Sequence, residues 1–342
     1  MKSLPPTPML DALQRPIHDL RISVTDRCNF RCVYCMPKHI FGPGYHFLKR
    51  SQLLSYEEIE RVARMFVQQG VRKLRLTGGE PLVRKDIEIL IESLAAIEGI
   101  QDLSLTTNGS LLTPQKARNL YDAGLRRVTV SLDSLDGDTF RSMNGVNFAP
   151  ESVLKAIDTV AATGLAPVKI NMVVKRGVND NAVLSAARHF RGTGHILRFI
   201  EYMYVGNSNR WQESEVISAE NIRGIIEQVY PIEPVSPDYR GEVAQKWRYT
   251  DGAGEIGIIA SVSQPFCGTC TRARLSADGS LFTCLFASKG HDLRALLRQG
   301  ISDAELSREI RTIWSARADR YSELRAMQSV DVSKIEMSYI GG

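Results

Sequence analysis

The sequence predicts an α/β protein: an incomplete (β/α)6 TIM-type barrel with a C-terminal α+β segment closing the barrel mouth. Three observations predict it. Between Arg21 and Glu233, six short runs rich in β-branched residues or Leu alternate with six longer amphipathic runs. Ser, Thr and Gly punctuate the amphipathic runs where helix ends need them. Past Pro231–Arg240, a stretch of Pro and turn residues, the alternation stops.

The strand candidates, in order, are Arg21–Thr25, Lys73–Thr77, Asp102–Thr107, Arg127–Leu132, Val168–Val174 and Leu197–Glu201. The helix candidates are Tyr56–Gln69, Lys85–Ile97, Pro114–Ala123, Ser152–Thr163, Asn181–Phe190 and Ala219–Val229. Ser55, Thr113 and Ser218 stand as N-caps, and Gly70, Gly124 and Gly164 follow three helices where a C′ glycine is expected. Repeated β–α units imply a parallel sheet with right-handed crossovers, and six units rather than eight imply an open barrel. The chain therefore divides into a mobile N-terminal arm (1–16), the partial barrel (17–235) and a C-terminal segment (236–342). That last segment holds short strands around a cysteine group, then helical stretches, then a Gly341-Gly342 tail.

Composition narrows the classes. The 342 residues are 43% hydrophobic and 24% charged, ordinary for a globular protein with a self-sufficient core. No run approaches the eighteen apolar residues of a membrane span, and Met1–Arg15 has no apolar block like that of a signal peptide. A cytoplasmic location is expected, with no membrane partner. The net charge of +5 is small against 81 charged residues; basic helices and clustered aromatics are lacking, so no nucleic-acid partner is expected.

The six cysteines form two trios, Cys28, Cys32 and Cys35, then Cys267, Cys270 and Cys284. Closely spaced thiols suggest metal before disulfide in a reducing compartment. Structural zinc takes four protein ligands, and each trio is one short, with His39 and His291 the nearest imidazoles. A zinc site completed from elsewhere and an iron–sulfur cluster with one open iron both remain open on spacing alone. The first trio follows the first strand, at the end of a barrel where α/β proteins do chemistry. Tyr34 precedes its last cysteine and is suited to pack on a purine.

Cys28-x3-Cys32-x2-Cys35 resembles the radical S-adenosylmethionine superfamily. The resemblance implies a [4Fe–4S] cluster that chelates S-adenosylmethionine and cleaves it to a 5′-deoxyadenosyl radical. Thr77-Gly78-Gly79-Glu80-Pro81 closes the second strand, where glycines let backbone approach a ligand. Thr106-Thr107-Asn108-Gly109 and Ser131-Leu132-Asp133 close the third and fourth at the same face. With Tyr34 and the Gly79 backbone as expected contacts to S-adenosylmethionine, the resemblance adds Ser131 and Met203.

In the second trio, Arg272 and Arg274 follow Cys270, and strand alternation would point both the same way, a pairing that suits phosphate. The segment Phe266–Ala287 (FCGTCTRARLSADGSLFTCLFA) and the terminal glycines resemble the GTP 3′,8-cyclase family, over about residues 17 to 342. That resemblance implies a second [4Fe–4S] cluster at Cys267, Cys270 and Cys284. It implies substrate contacts at Arg21, Arg75, Thr106, Lys169, Arg272 and Arg274, and catalytic roles for Arg272, Arg274, Gly341 and Gly342. The implied reaction is an early step of molybdopterin biosynthesis: hydrogen abstraction from C3′ of GTP, then closure onto C8, giving 3′,8-cyclo-7,8-dihydroguanosine 5′-triphosphate. GTP, S-adenosylmethionine and an external one-electron reductant are the implied partners, with a homodimer left open. Replacing Arg272 or Arg274 is expected to weaken GTP binding without changing cluster content. Two other readings compete: a radical S-adenosylmethionine enzyme that modifies a peptide, and a zinc-ribbon-like nucleic-acid-binding protein.

Overall fold

The computed structural model describes residues 8–324 and 334–341. Six strands fall within two residues of expectation: β1 Asp19–Ser23, β2 Lys73–Thr77, β3 Asp102–Thr107, β4 Arg127–Ser131, β5 Lys169–Val174 and β6 Ile196–Glu201. The six expected helices lie between and after them, and one was missed: Gly137–Asn144, a short helix ahead of Pro150–Ala162. The caps work as read. Ser55 and Glu58 bond each other's backbone N–H, while Thr113 and Ser218 accept from Lys116 N and Asn221 N.

Strand alternation builds two unlike faces. Leu20, Ile22, Leu74, Leu76, Leu105, Val128, Val130, Ile170, Met172 and Phe199 face the helices and are fully buried. Each contributes about 1.5–3 kcal/mol on burial, enough to dictate which face turns outward. The intervening residues, among them Arg21, Arg75, Thr106, Ser131, Asn171 and Arg198, are thereby turned inward.

The C-terminal segment enters the barrel wall itself. After β7 Ile232–Val235, it contributes β8 Gln245–Tyr249, β9 Glu255–Ile259, β10 Arg272–Leu275, β11 Ser280–Phe282 and β12 His291–Asp292. The sheet order is β12-β11-β10-β1-β2-β3-β4-β5-β6-β9-β8-β7. Strand β10 pairs parallel with β1, and β9 pairs parallel with β6. Eight parallel strands thus stand in a row, flanked by antiparallel strands at both edges and not closed by hydrogen bonds. The sheet runs unbroken past residue 235, through β7, β8 and β9. Register sets Arg274 beside Arg21 and Arg21 beside Arg75. One lateral row of guanidinium groups is therefore drawn from three strands.

The expectation of a mobile arm is corrected over residues 8–16; residues 1–7 lie outside the described ones. Met9 is buried, Leu10 bridges to Pro16, and Asp11 and Arg15 are buried together as an ion pair. The physical reason is a charged anchor, where an apolar one was sought.

Candidate active site

The first trio sits in the turn after β1. Its loop is pinned on two sides by backbone. Gly79 N donates to Thr25 O at 2.7 Å and Glu80 N to Arg27 O at 2.8 Å. Opposite, Arg31 N donates to Asn144 O and Val33 N to Met143 O. A Cβ on Gly79 would overlap the Arg27 carbonyl. The glycine is thus required by close approach of protein backbone, a constraint beyond the ligand approach expected from sequence.

Cys28, Cys32 and Cys35 face a cavity that Tyr34, Gly79, Ser131 and Met203 also line, so the structure brings all four expected cofactor contacts to one place. Sequence reading assigned no role to two acids there. Glu80 is buried and accepts hydrogen bonds from Thr107 Oγ1 and Asn108 N at 2.7 Å and Leu82 N at 3.1 Å. Asp133 accepts from Tyr34 Oη at 2.8 Å and Val173 N at 2.9 Å. Their signal was position: both close strands at the face carrying the trio.

The cavity disfavours negative charge. Burial pushes the Glu80 carboxyl up to about 7 and Asp133 up to about 6, against the hydrogen bonds that oppose it. Burial and then the Glu80 carboxylate push the Cys28 thiol up to about 11; Cys32 and Cys35 are raised too, by burial first and then by charged neighbours. Three thiols and two carboxyls around one space call for cationic occupants. Iron held by thiolates and an ammonium group supply that charge, so the donor set fits a cluster with S-adenosylmethionine.

The second trio lines a neighbouring cavity with Arg21, Arg75, Arg272 and Arg274. Thr106, Asn171, Ile200, Met203 and Met337 line both cavities and form their common wall. At Cys270 the balance is inverted, while burial still pushes Cys284 up to about 11. Burial pushes the Cys270 thiol up, but Arg272 and Arg317 outweigh it and bring it down to about 6. Arg272 Nη2 lies 3.1 Å from Cys270 Sγ. Replacing Arg272 would therefore also remove a hydrogen bond to a thiol of the trio.

Polar atoms around this cavity lack protein partners. Arg272 Nη1, Asn171 Oδ1 and Thr106 Oγ1 are buried without a hydrogen bond. The Arg21 side chain makes no hydrogen bond or ion pair among the described residues, and burial, then Arg274, Arg75 and Arg272, push its pKa far down. Such unpaired charge is costly unless a polyanion arrives. Arg198, missed by the sequence reading, lines the same cavity from β6 and was legible by alternation. Lys169 is not among the lining residues. It begins β5 near Arg127, Arg198 and Arg75, and burial, then those cations, bring it down to about 7.

Among the described residues, no group of three or more His, Cys, Asp or Glu side chains is set to hold a single metal ion. A cuboidal cluster takes each thiolate on a different iron and needs no such convergence.

The tail reaches this common wall. Glu336 accepts from Asn207 N at 3.0 Å and Ser208 Oγ at 2.7 Å, and Tyr339 Oη donates to Asp278. The Gly341 carbonyl accepts from Arg274 Nη1. Gly341 has φ +74°, and a Cβ there would overlap Thr77, so no other residue fits without displacement. Gly342 lies outside the described residues.

Comparison with known proteins defines the class first. Residues 22–190 match the model of the Radical SAM superfamily, and residues 195–323 match Molybdenum Cofactor Synthesis C. Among solved structures, Streptococcus suis SuiB bound to S-adenosylmethionine shares the fold, with TM-score 0.62 and 16% identity over 93% of this chain and 77% of that one. Methylornithine synthase (PylB) shares it over 62% of each chain, with TM-score 0.50 and 14% identity. The barrel is that of a radical S-adenosylmethionine protein.

Curated relatives then narrow the class. A GTP 3′,8-cyclase from Acidothermus cellulolyticus is 52% identical over 98% of this chain and 99% of its own length. One from Staphylococcus epidermidis is 48% identical over 97% and 98%. The chain belongs to the GTP 3′,8-cyclase family.

Proposed function

We infer that this chain converts GTP to 3′,8-cyclo-7,8-dihydroguanosine 5′-triphosphate across the wall shared by its two cavities. The observation that supports it is the pairing of two three-thiol sites, one lined by acids and the other by guanidiniums, with Thr106 and Met203 between them. A [4Fe–4S] cluster held by Cys28, Cys32 and Cys35 with S-adenosylmethionine would supply one-electron cleavage to a 5′-deoxyadenosyl radical.

The chain's own residues bind, orient and exclude water. Glu80 and the strand end at Gly79 offer acceptors to the S-adenosylmethionine ammonium, Ser131 a hydroxyl, and Met203 and Tyr34 apolar surface. Asp133 fixes the Tyr34 ring through its hydroxyl. Cys267, Cys270 and Cys284 would hold the second cluster beside the base. Arg21, Arg75, Arg272 and Arg274 take up the triphosphate charge, with Thr106 as a hydroxyl contact. Lys169, set apart with Arg127, extends the cationic field below. Holding C8 and C3′ of one nucleotide together is the main demand, because a carbon radical takes hydrogen from whatever is nearest. The reading requires an external one-electron reductant and suits the cytoplasm, where thiols stay reduced. It leaves a homodimer open. Among the described residues, no helix is long and apolar enough to cross a membrane.

The test is anaerobic purification with iron, sulfide and zinc counts, then incubation with GTP, S-adenosylmethionine and a reductant. The expected result is two clusters, 5′-deoxyadenosine and the cyclised nucleotide. Zinc without sulfide at both trios would overturn it, and binding of a peptide in place of GTP would favour the peptide-modifying reading. Deleting Gly341-Gly342 is expected to remove turnover while leaving iron and sulfide unchanged. Full activity in that variant would reduce the tail to a passive end.

A further inference from the structure

Beside the second trio, reaching the wall of its cavity through Arg317 and Asp319, lies a buried charge cluster that binds no substrate in the reading above. The Asp11 side chain is 0% exposed, as is that of Arg15, and Arg317 is 1% exposed. The two oxygens of Asp11 have separate duties. Oδ1 accepts from Leu13 N and Arg15 N, both at 2.9 Å, and so is fixed by its own turn. Oδ2 takes Arg15 Nε at 2.6 Å and Arg317 Nη1 at 2.9 Å.

The two guanidiniums then reach every segment that carries a cysteine of the trio. Arg15 Nη1 donates to Cys267 O at 2.7 Å and to Asp319 O at 2.8 Å. Arg317 Nη1 donates to Cys270 O at 2.9 Å, and its Nε to Thr283 O, next to Cys284, at 3.0 Å. Asp319 completes the ring by accepting from Thr283 Oγ1 at 2.6 Å. Arg317 also lies over the Trp314 ring, 4.6 Å from its centroid, which fixes its plane. One carboxylate near the N-terminus thus sets two forks onto backbone carbonyls of three separate cysteine segments.

We propose that Asp11 is the positioning residue of the second cluster, holding Arg15 and Arg317 so that their guanidiniums fix the three thiols in register. The arrangement rests on the reading of Cys267, Cys270 and Cys284 as cluster ligands. Groups outside the ligand shell orient it and tune it, and nearby charge and hydrogen bonding set a cluster's reduction potential. Removing the carboxylate leaves the buried Arg15 without an acidic partner and Arg317 with Asp319 alone, at 3.5 Å.

The test uses full-length chains reconstituted without air. A Cys28→Ala, Cys32→Ala, Cys35→Ala chain isolates the second trio, and a Cys267→Ala, Cys270→Ala, Cys284→Ala chain isolates the first. If the chain with only the second trio takes up no cluster, the ligand reading fails and the proposal with it. Given a cluster there, Asp11→Asn is expected to speed iron release to a chelator about tenfold or more, the loss typical of an outer-shell partner. The midpoint potential of the remaining cluster is expected to move upward. In the chain with only the first trio, the same substitution is expected to leave iron release unchanged. Unchanged release and potential at the second trio, or equal loss at both, would overturn the proposal. Should Asp11→Asn fail to fold, Arg15→Lys keeps the charge beside Asp11 but loses the fork to Cys267 O. Faster release confined to the second trio supports the proposal, and no change overturns it.

Discussion

Substituting Ala for Cys28, Cys32 or Cys35 is expected to abolish release of 5′-deoxyadenosine from S-adenosylmethionine. The loss should exceed the hundredfold or so that an outer-shell substitution costs, because a ligand to the metal is removed outright. Iron content should fall from about eight to about four atoms per chain, one cuboidal cluster's worth. The three thiols cannot replace one another, since each comes from a different point of a loop pinned by Gly79, Glu80 and the Met143–Asn144 turn. Chromatography of the nucleoside product, with iron and sulfide assays on the same sample, checks both parts. Persistent 5′-deoxyadenosine from any of the three variants would remove the first trio from the chemistry.

The second large effect is expected at Arg21. It stands between Arg274 and Arg75 in the parallel register, and its side chain forms no direct ion pair among the described residues. Arg21→Ala is expected to raise the Kd for GTP on the order of a hundredfold, about 2.7 kcal/mol, as truncating a buried phosphate partner does. The ligand-free chain is expected to change oppositely. Relief of like-charge crowding should raise its melting temperature by about 1 °C for each kcal/mol of repulsion removed. Calorimetric titration with GTP and thermal melts without it separate the two effects. Unchanged GTP affinity would exclude this row of guanidiniums as the phosphate site. Arg21 is a cleaner probe than Arg272, which bonds a cysteine sulfur, or Arg274, which holds the tail carbonyl.

Much of the architecture was legible because it is local. Each strand from β1 to β6 carries its own period of two, and Ser55 and Thr113 announce their helices within four residues. The trios were legible because cysteines are few and closely spaced. The same alternation that places Arg21, Arg75 and Thr106 inward also places Arg198, so that residue was readable though unread. What escaped was non-local. Nothing near Arg272 announces that its strand will pair with β1, and β9 joins β6 only after the chain has run out through β7 and back through β8. The N-terminal arm was misjudged because Asp11 and Arg15 look like surface residues until Arg317 is brought to them. Lys169 has the strand and facing that suggest a ligand contact, but register sets it in the row of Thr129 and Thr106 and not in that of Arg75.

The pairing of β10 with β1 also orders events during synthesis. Thr271 and Asp19 meet across 252 positions of sequence, so the nucleotide chamber cannot exist until nearly all of the polypeptide has left the ribosome. The loop of the first trio is pinned by residues no later than Asn144, although Met203 and Met337 complete the cavity it faces. A nascent chain halted before residue 272 would present a bare β1 edge, open to pairing with other chains. Maturation therefore has a built-in sequence, in which the loop carrying the first trio is pinned early and the half that admits GTP arrives last.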